Sequence, residues 1–159
     1  MNEAPRIYLA GPDVFWPDAK ELGEYLKQLC QQRGLVGVYP LDSGVKLDRL
    51  SPSEQGHAIY QANVELIRSC HGMIANMAPF RGISMDVGTA FEMGYGIAHK
   101  LLVVGYTTDM RPYKERATPD GLFIEDFEMI DNLMVHAVTG GAIYNTPEEA
   151  LDYAARHLK

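Results

Sequence analysis

The sequence predicts an α/β fold in which a five-stranded parallel sheet is covered by helices. Two observations lead to this prediction. Short apolar runs alternate along the chain with longer segments of helical periodicity, which is the pattern of strand–helix–strand units around a parallel sheet. The 159 residues, 47% of them hydrophobic, suffice for one hydrophobic core but not for two, so residues 1–159 are expected to form a single domain.

Five short apolar runs are predicted to be the strands. They are residues 7–10, 35–39, 73–76, 101–105 and the weaker 142–144. Helical patterns occupy residues 18–33, 55–69, 87–99, 126–137 and 147–157. Gly34 ends the first helix as a C-terminal glycine does, and Thr146 followed by Pro147 is a typical start for the last one.

The charge and the cysteine content limit the partners and the compartment. The net charge is −7 and no basic run occurs, which argues against a nucleic-acid polymer because phosphate backbones require clustered positive charge. Cys30 and Cys70 have no paired spacing and are expected to be reduced and buried. No signal-peptide pattern and no apolar run of about 20 residues occur, so we expect a cytoplasmic protein without a membrane partner.

The loops that follow the strands are expected to hold the ligand, because open α/β sheets bind ligands at the carboxyl ends of their strands. These loops are residues 11–17, 40–44, 77–82 and 106–109. They combine carboxylates (Asp13 and Asp42) with aromatic residues (Phe15 and Trp16), which suits a flat, uncharged, hydrogen-bonding ligand. The first loop has neither the glycine spacing of a dinucleotide site nor the ending of a phosphate loop. The five histidines are scattered singly, so no metal site is predicted.

The predicted helix at 87–99 carries an unusual carboxylate. It accepts three glycines, each of which costs about 1 kcal/mol relative to alanine, at positions Gly88, Gly94 and Gly96. Glu92 lies one helical turn from two of them, on a surface where a ligand can approach closely, and Asp86 stands at the helix start. The alternative interpretation is that Glu92 is a solvated surface residue and Asp86 only a helix cap.

The apolar residues of the same helix predict which side packs on the sheet. At about 100° per residue, one stripe contains Val87, Ala90, Phe91, Gly94 and Ala98. This stripe is expected to face the sheet, with Gly94 permitting close packing. Gly88 and Gly96 are then expected to leave room for a ligand beside Glu92.

Four segments of the chain resemble the nucleoside 2-deoxyribosyltransferase family. They are residues 7–15, 74–82, 86–94 and 131–134, in the family's order and spread over most of the chain. The resemblance implies an enzyme that exchanges the base of a 2′-deoxyribonucleoside for another free base. It also implies a flavodoxin-like, doubly wound sheet with helices on both faces, and a reaction without a metal or organic cofactor.

The resemblance also implies roles for individual residues. Glu92 matches the nucleophile that attacks C1′ and holds the sugar as an ester, Asp86 matches a carboxylate that holds the sugar hydroxyls, and Tyr8 matches a tyrosine that orients the nucleophile. Asn132 and Met134 match residues that reach into a neighbouring subunit's site, which implies a homo-oligomer, either a dimer or a hexamer.

The remaining candidate substrate-binding positions are Gly11, Asp13, Phe15, Asp42, Asn63 and Gly88. Some members of the family carry an aspartate where this chain has Asn63, and that aspartate is thought to assist the leaving base. An amide is not an acid, so the proton for the base is left to Asp42, to water or to the loop at 76–82. Phe15 and Trp16 are candidates for a wall beside the base or for core packing.

Two other functions are compatible with the same residues. One is hydrolysis of deoxynucleosides or their 5′-monophosphates, with water as acceptor; the negative charge of Asp13 in the first loop argues against a 5′-phosphate. The other is a non-catalytic nucleoside-binding module. A binding module has no need of an unpaired carboxylate at C1′, so Glu92 distinguishes the two classes.

Overall fold

Five parallel strands form the centre of the computed structural model, which describes residues 3–158. They are β1 Arg6–Ala10, β2 Val36–Val38, β3 Gly72–Asn76, β4 Leu102–Tyr106 and β5 Ile143–Tyr144. Their order in the sheet is β2-β1-β3-β4-β5. This is the flavodoxin-like order, so the predicted fold class is confirmed. The order reverses between β1 and β3, which makes the crevice above these two strands the topological switch point where such folds bind ligands.

Helices cover both faces of the sheet. They are α1 Ala19–Gln31, α2 Pro52–Arg68, α3 Val87–Ala98, α4 Tyr113–Arg116, α5 Leu133–Ala137 and α6 Pro147–His157. One hydrophobic cluster joins α1 and α6 to the sheet, and a second joins α2 and α3 to its other face. No helix within residues 3–158 is long and apolar enough to cross a membrane.

Strand β1 shows how the sequence produces this double layer. Ile7 and Leu9 belong to the cluster beneath α1 and α6, whereas Tyr8 and Ala10 belong to the cluster beneath α2 and α3. Successive side chains of a strand point to opposite faces, so a strand covered on both sides must be apolar at every position. This requirement explains why short continuous apolar runs predicted the strands. Cys30 and Cys70 are free and buried, as predicted.

The short helix α4 was not predicted, and two other helices begin three or more residues from the predicted start. Helix α2 begins at Pro52 because Ser51 accepts a hydrogen bond from the backbone of Glu54 and the Glu54 side chain accepts one from the backbone of Ser51. The predicted helix over 126–137 is helical only at Leu133–Ala137. There Asn132 caps the helix by accepting a hydrogen bond from the N–H of Met134, so the chain before it is not helical.

The predicted orientation of α3 is wrong. Val87 and Phe91 are 85% and 51% exposed, while Thr89, Met93 and Gly96 are the buried positions. A Cβ atom added at Gly96 would lie 3.4 Å from Met73 Cε, but one added at Gly94 would meet nothing within 4 Å. Gly96 therefore packs close to the sheet and Gly94 faces open space, the reverse of the expectation. The helix is apolar on several sides, so hydrophobic periodicity did not determine which side faces inward.

Candidate active site

Glu92 is held by the sheet beneath α3. Its Oε1 accepts a hydrogen bond of 2.7 Å from the hydroxyl of Tyr8, whose side chain is fully buried on β1. Because Tyr8 is fixed by the core, it also fixes the position of one carboxylate oxygen. The second oxygen, Oε2, is free to face a ligand, since residues 3–158 form no hydrogen bond to it.

The surroundings of Glu92 hold it between its two protonation states at neutral pH. Burial raises the pKa of Glu92 to about 7, the negative charge of Asp86 acts in the same direction, and the hydrogen bond from Tyr8 opposes both. Burial, followed by the charge of Glu92, raises the pKa of Tyr8 well above its usual value, so the phenol keeps its proton and remains the donor. A carboxylate of this kind is more basic than a solvated one and is withdrawn from water, as a nucleophile at an apolar site needs to be.

Asp86 precedes α3 and faces the same region. Its Oδ2 accepts hydrogen bonds from the backbone N–H and the hydroxyl of Thr89, at 2.8 and 2.9 Å. This capping of the helix was one of the two interpretations of Asp86, and it uses only one of the two oxygens. A Cβ atom at Gly88 would approach Asp86 Oδ2 to 3.1 Å, so the glycine gives the carboxylate space to turn back over the helix.

A cleft of about 240 Å³ opens between α2 and α3 beside Glu92. Its polar groups come from Tyr60, Asn63 and Glu92, and Gly88 lines it without adding a side chain. The walls are largely apolar, and the rings of Tyr60 and Phe91 lie 6.1 Å apart within them. Such a small, mostly apolar cleft with few polar groups is typical of sites for flat organic ligands.

The loops after β1 and β3 meet above the switch point of the sheet. Asn76, the last residue of β3, donates hydrogen bonds of 3.3 Å to both carboxylate oxygens of Asp13. The carboxylate of Asp13 lies where a side chain at position 11 would be, which requires a glycine at Gly11. Burial raises the pKa of Asp13, while the Asn76 hydrogen bond opposes that shift.

An aromatic stack joins the same two loops. The rings of Phe15 and Phe80 are nearly parallel, with centroids 5.6 Å apart, and the guanidinium of Arg81 lies 4.9 Å from the Phe80 centroid. Phe15 is 58% exposed, so it forms part of the rim and does not pack in the core. Sequence reasoning named the loop at 76–82 as one candidate source of the proton but gave no separate role to Asn76, Phe80 or Arg81. The polar residue that closes the apolar strand at 73–76 was the available signal for Asn76.

Among the predicted site residues, Asn63, Gly88 and Glu92 line the cleft; Asp42, Asn132 and Met134 lie neither in it nor in the contact between Asp13 and Asn76. Asp42 is bound by Lys27 Nζ at 2.5 Å and by the backbone N–H of Tyr39 at 2.9 Å, so it stabilises a turn. The side-chain amide of Asn132 donates a 2.8 Å hydrogen bond to Glu125. Met134 is 69% exposed on α5, where a second molecule can contact it. Among residues 3–158, no three histidine, cysteine or acidic residues cluster to hold a metal ion.

Comparison with known proteins identifies the family. A family model described as nucleoside 2-deoxyribosyltransferase matches residues 7–134, which is most of the chain. The chain belongs to this family. A solved structure, described as a 2-deoxyribosyltransferase from Leishmania mexicana, is 32% identical, with a TM-score of 0.81, over 96% of this chain and 98% of that chain.

Two further similarities extend this picture. An uncharacterized protein of Schizosaccharomyces pombe is 38% identical over 117 residues, which are 72% of this chain and 56% of that protein's length. The chain thus spans little more than half of this relative. The structure of a CMP N-glycosidase from Clostridium botulinum is 17% identical, with a TM-score of 0.51, over 94% of this chain and 97% of that chain. At this identity the similarity concerns the fold alone.

Proposed function

We propose that this protein transfers the 2-deoxyribosyl group between purine or pyrimidine bases through a covalent ester on Glu92. The observation that carries the proposal is the Glu92 carboxylate itself. It is held at 2.7 Å by the buried Tyr8 hydroxyl, has a pKa raised to about 7, and opens into a cleft large enough for part of a nucleoside. A residue that served only to stabilise the fold would be better replaced by an apolar side chain at this position.

The reaction has two displacements at C1′ of the sugar. In the first, a carboxylate oxygen of Glu92 attacks C1′, the bond from C1′ to the base nitrogen breaks, and the base leaves with the electron pair and takes up a proton. In the second, a nitrogen of the incoming base attacks C1′, the ester bond breaks, the proton of that nitrogen is lost and the carboxylate is regenerated. Two inversions give net retention of configuration.

The neighbouring side chains have distinct parts in this mechanism. Tyr8 orients Glu92 and stabilises its ionised form through the hydrogen bond to Oε1. Asp86 offers its Oδ1 to the sugar hydroxyls, since its Oδ2 caps α3. Gly88 leaves space for the sugar, and Asn63 hydrogen-bonds the base from α2. The exposed ring of Phe15 stacks on the base at the other side of the rim.

A direct test mixes 2′-deoxyinosine with adenine or cytosine and follows new nucleosides by chromatography. The intact protein should form them, Glu92→Ala should not, and Glu65→Ala, which alters an exposed glutamate paired with Arg68 on α2, should behave as the intact protein does. Mass spectrometry of protein mixed with donor alone should find one deoxyribosyl group on Glu92. Failure of exchange with every pair of bases would refute the transferase, and full activity of Glu92→Ala would refute the nucleophile.

Hydrolysis is the second candidate, because water can attack the same ester and the fold resembles that of an N-glycosidase. The experiment distinguishes it by the acceptor. A transferase releases the donor base much faster when a second base is present and forms a new nucleoside, whereas a hydrolase releases base and free sugar at the same rate with or without it. A module that only binds nucleosides would do neither.

We further propose that the enzyme is a cytoplasmic homo-oligomer whose substrates are deoxyribonucleosides and free bases, with residues 1–159 acting as one domain. The exposed Met134 and its neighbour Asn132 lie outside the cleft of their own chain, which leaves them available to a site on a second copy. Light scattering of the purified protein, together with activity of Met134→Glu, tests this arrangement. A fully active monomer would contradict it.

A further inference from the structure

The first half of the proposed reaction leaves one proton without a source, because the base must be protonated as it departs. Two other polar residues line the described cleft beside Glu92: the amide of Asn63 cannot act as an acid, and Tyr60 places its ring against Phe91 in the apolar wall. Asp42 already accepts hydrogen bonds at both oxygens, from Lys27 Nζ and from the backbone N–H of Tyr39 at a turn. The question is therefore whether another acidic group faces the crevice of the sheet.

We propose that Asp13 is the general acid and base of the reaction, giving its proton to the leaving base and recovering one from the incoming base. This inference rests on the proposed transferase activity and adds a catalytic residue to it. Three features of the Asp13 side chain support the assignment: its place in the fold, the way in which it is held, and its neighbours.

The place of Asp13 is set by the topology of the sheet. The carboxyl group lies against Gly11, directly after β1, and accepts hydrogen bonds from Asn76 at the end of β3. It therefore bridges the two strands between which the strand order reverses. Tyr8 on β1 holds Glu92, and α3, which carries Glu92, follows β3 in the chain. The two carboxyl groups thus approach the same crevice from different elements.

The way in which Asp13 is held suits a group that exchanges a proton. The amide of Asn76 spans both oxygens at 3.3 Å, a long and neutral contact that fixes the carboxyl without requiring it to be charged. Within residues 3–158, Asp13 takes part in no ion pair. By contrast, a carboxylate paired with lysine or arginine is locked in its ionised form and cannot supply a proton at neutral pH.

No charged group is among the causes that shift the pKa of Asp13. Burial is the largest cause and raises this pKa, while the hydrogen bonds from Asn76 and from the loop backbone oppose the shift. The phenols of Tyr39 and Tyr106, beside β2 and on β4, have raised pKa values, chiefly through burial and then through the charge of Asp13, so both remain neutral. Phe15, two residues along the loop, presents an exposed ring on which a base can stack within reach of the acid.

Atoms and charges balance over the two half-reactions. The neutral Asp13 carboxyl gives its proton to a ring nitrogen or a carbonyl oxygen of the leaving base while Glu92 forms the ester. Asp13 is then a carboxylate, and it removes the N–H proton of the acceptor base as that base attacks C1′. The reactive form of the free enzyme therefore carries a proton on Asp13 and none on Glu92.

Two donors separate this role from a role in binding or folding. The base of 2′-deoxyinosine needs a proton to leave, whereas that of 7-methyl-2′-deoxyguanosine is already cationic and leaves without one. Asp13→Asn should slow base release from 2′-deoxyinosine by about 10²- to 10⁴-fold, the usual contribution of a general acid. With the methylated donor, release should change by less than about tenfold. Release is measured by rapid quench, with the uncatalysed decay of the methylated donor subtracted.

Two variants make the result interpretable. Asp18→Asn makes the same aspartate-to-asparagine change in the segment that joins β1 to α1. Asp18 is exposed and its side chain makes no capping hydrogen bond to α1, so the rate of base release from both donors should be unchanged. Glu92→Ala should lose base release from both donors. Equal losses with the two donors in Asp13→Asn, or no loss with either, would overturn the assignment of Asp13. Activity of Glu92→Ala, or the absence of exchange by the intact protein, would instead overturn the proposed function.

Discussion

The hydrogen bond from Tyr8 to Glu92 allows a quantitative test, because Tyr8→Phe removes one hydroxyl and leaves the buried ring. A hydrogen bond to a charged acceptor contributes about 1.5–3 kcal/mol, and each pKa unit corresponds to about 1.4 kcal/mol. Loss of the Tyr8 hydroxyl should therefore raise the pKa of Glu92 by about one to two units, from its value of about 7. Burial and the Asp86 charge, which both favour the protonated form, remain unchanged.

The kinetic consequence depends on pH. In the proposed reaction only the ionised carboxylate attacks C1′, and at pH 7 the fraction of free enzyme with Glu92 ionised should fall from about one half to between about a tenth and a hundredth. With 7-methyl-2′-deoxyguanosine, whose base needs no proton, kcat/KM should therefore fall about 5- to 50-fold at pH 7. Near about pH 9.5 it should return to within about threefold of the unmodified enzyme.

The assay is the pH profile of kcat/KM for base release from the methylated donor, together with titration of the Glu92 carboxyl carbon by NMR. Tyr153→Phe, which changes a tyrosine on α6 against the opposite face of the sheet, serves as the control and should not move the profile. A loss of rate that is equal at every pH, with the Glu92 titration unmoved, would refute the reasoning. Tyr8 would then act on the geometry of attack and not on the ionisation of Glu92.

Three further changes have expected outcomes. Asp86→Asn removes a negative charge that raises the pKa of Glu92, so the acid limb of the same profile should move to lower pH, opposite to Tyr8→Phe; an upward shift would contradict this. Because the folded pKa of Glu92 lies above that of an unfolded glutamate, protonation stabilises the fold, and this stabilisation is lost as pH rises from about 4.5 through about 7. Glu92→Gln should accordingly increase the free energy of unfolding at pH 8 by about 2–3 kcal/mol and have little effect at pH 4, as measured by urea denaturation. Gly94→Ala places a methyl group in open space on a helix and should add up to about 1 kcal/mol at unchanged kcat/KM; a destabilised variant would show that Gly94 is packed after all.

The sequence was sufficient for the sheet because each strand is buried on two faces and leaves an uninterrupted apolar run. It failed for the orientation of α3. Val87 and Phe91 look like core residues but are exposed, and the inward face is made of Thr89, Met93 and Gly96. A helix rich in glycine and apolar residues has no single polar side, so the face that meets the sheet is decided by the close approach at Gly96.

The candidate site residues also fall into two groups: those that one local segment suggests, and those that only the fold brings together. Glu92, Asp86 and Gly88 were proposed from one local segment, because a carboxylate between glycines is visible in a short stretch of sequence. The contact between Asp13 and Asn76 joins residues 63 positions apart. One sequence contains no sign that these two residues meet, beyond the rule that the ends of parallel strands share a rim. The stack of Phe15 on Phe80 escaped prediction for the same reason.

The packing of Asp13 against Gly11 has a consequence for redesign of this protein. A side chain at position 11 would overlap the carboxylate and come within 2.8 Å of Asn76 Cβ, so positions 11, 13 and 76 cannot be randomised independently. A library aimed at new bases should keep these three residues fixed as a unit. Diversity belongs at the exposed rings of Phe15, in the first loop, and Phe91, in the cleft beside Glu92, neither of which is part of that unit.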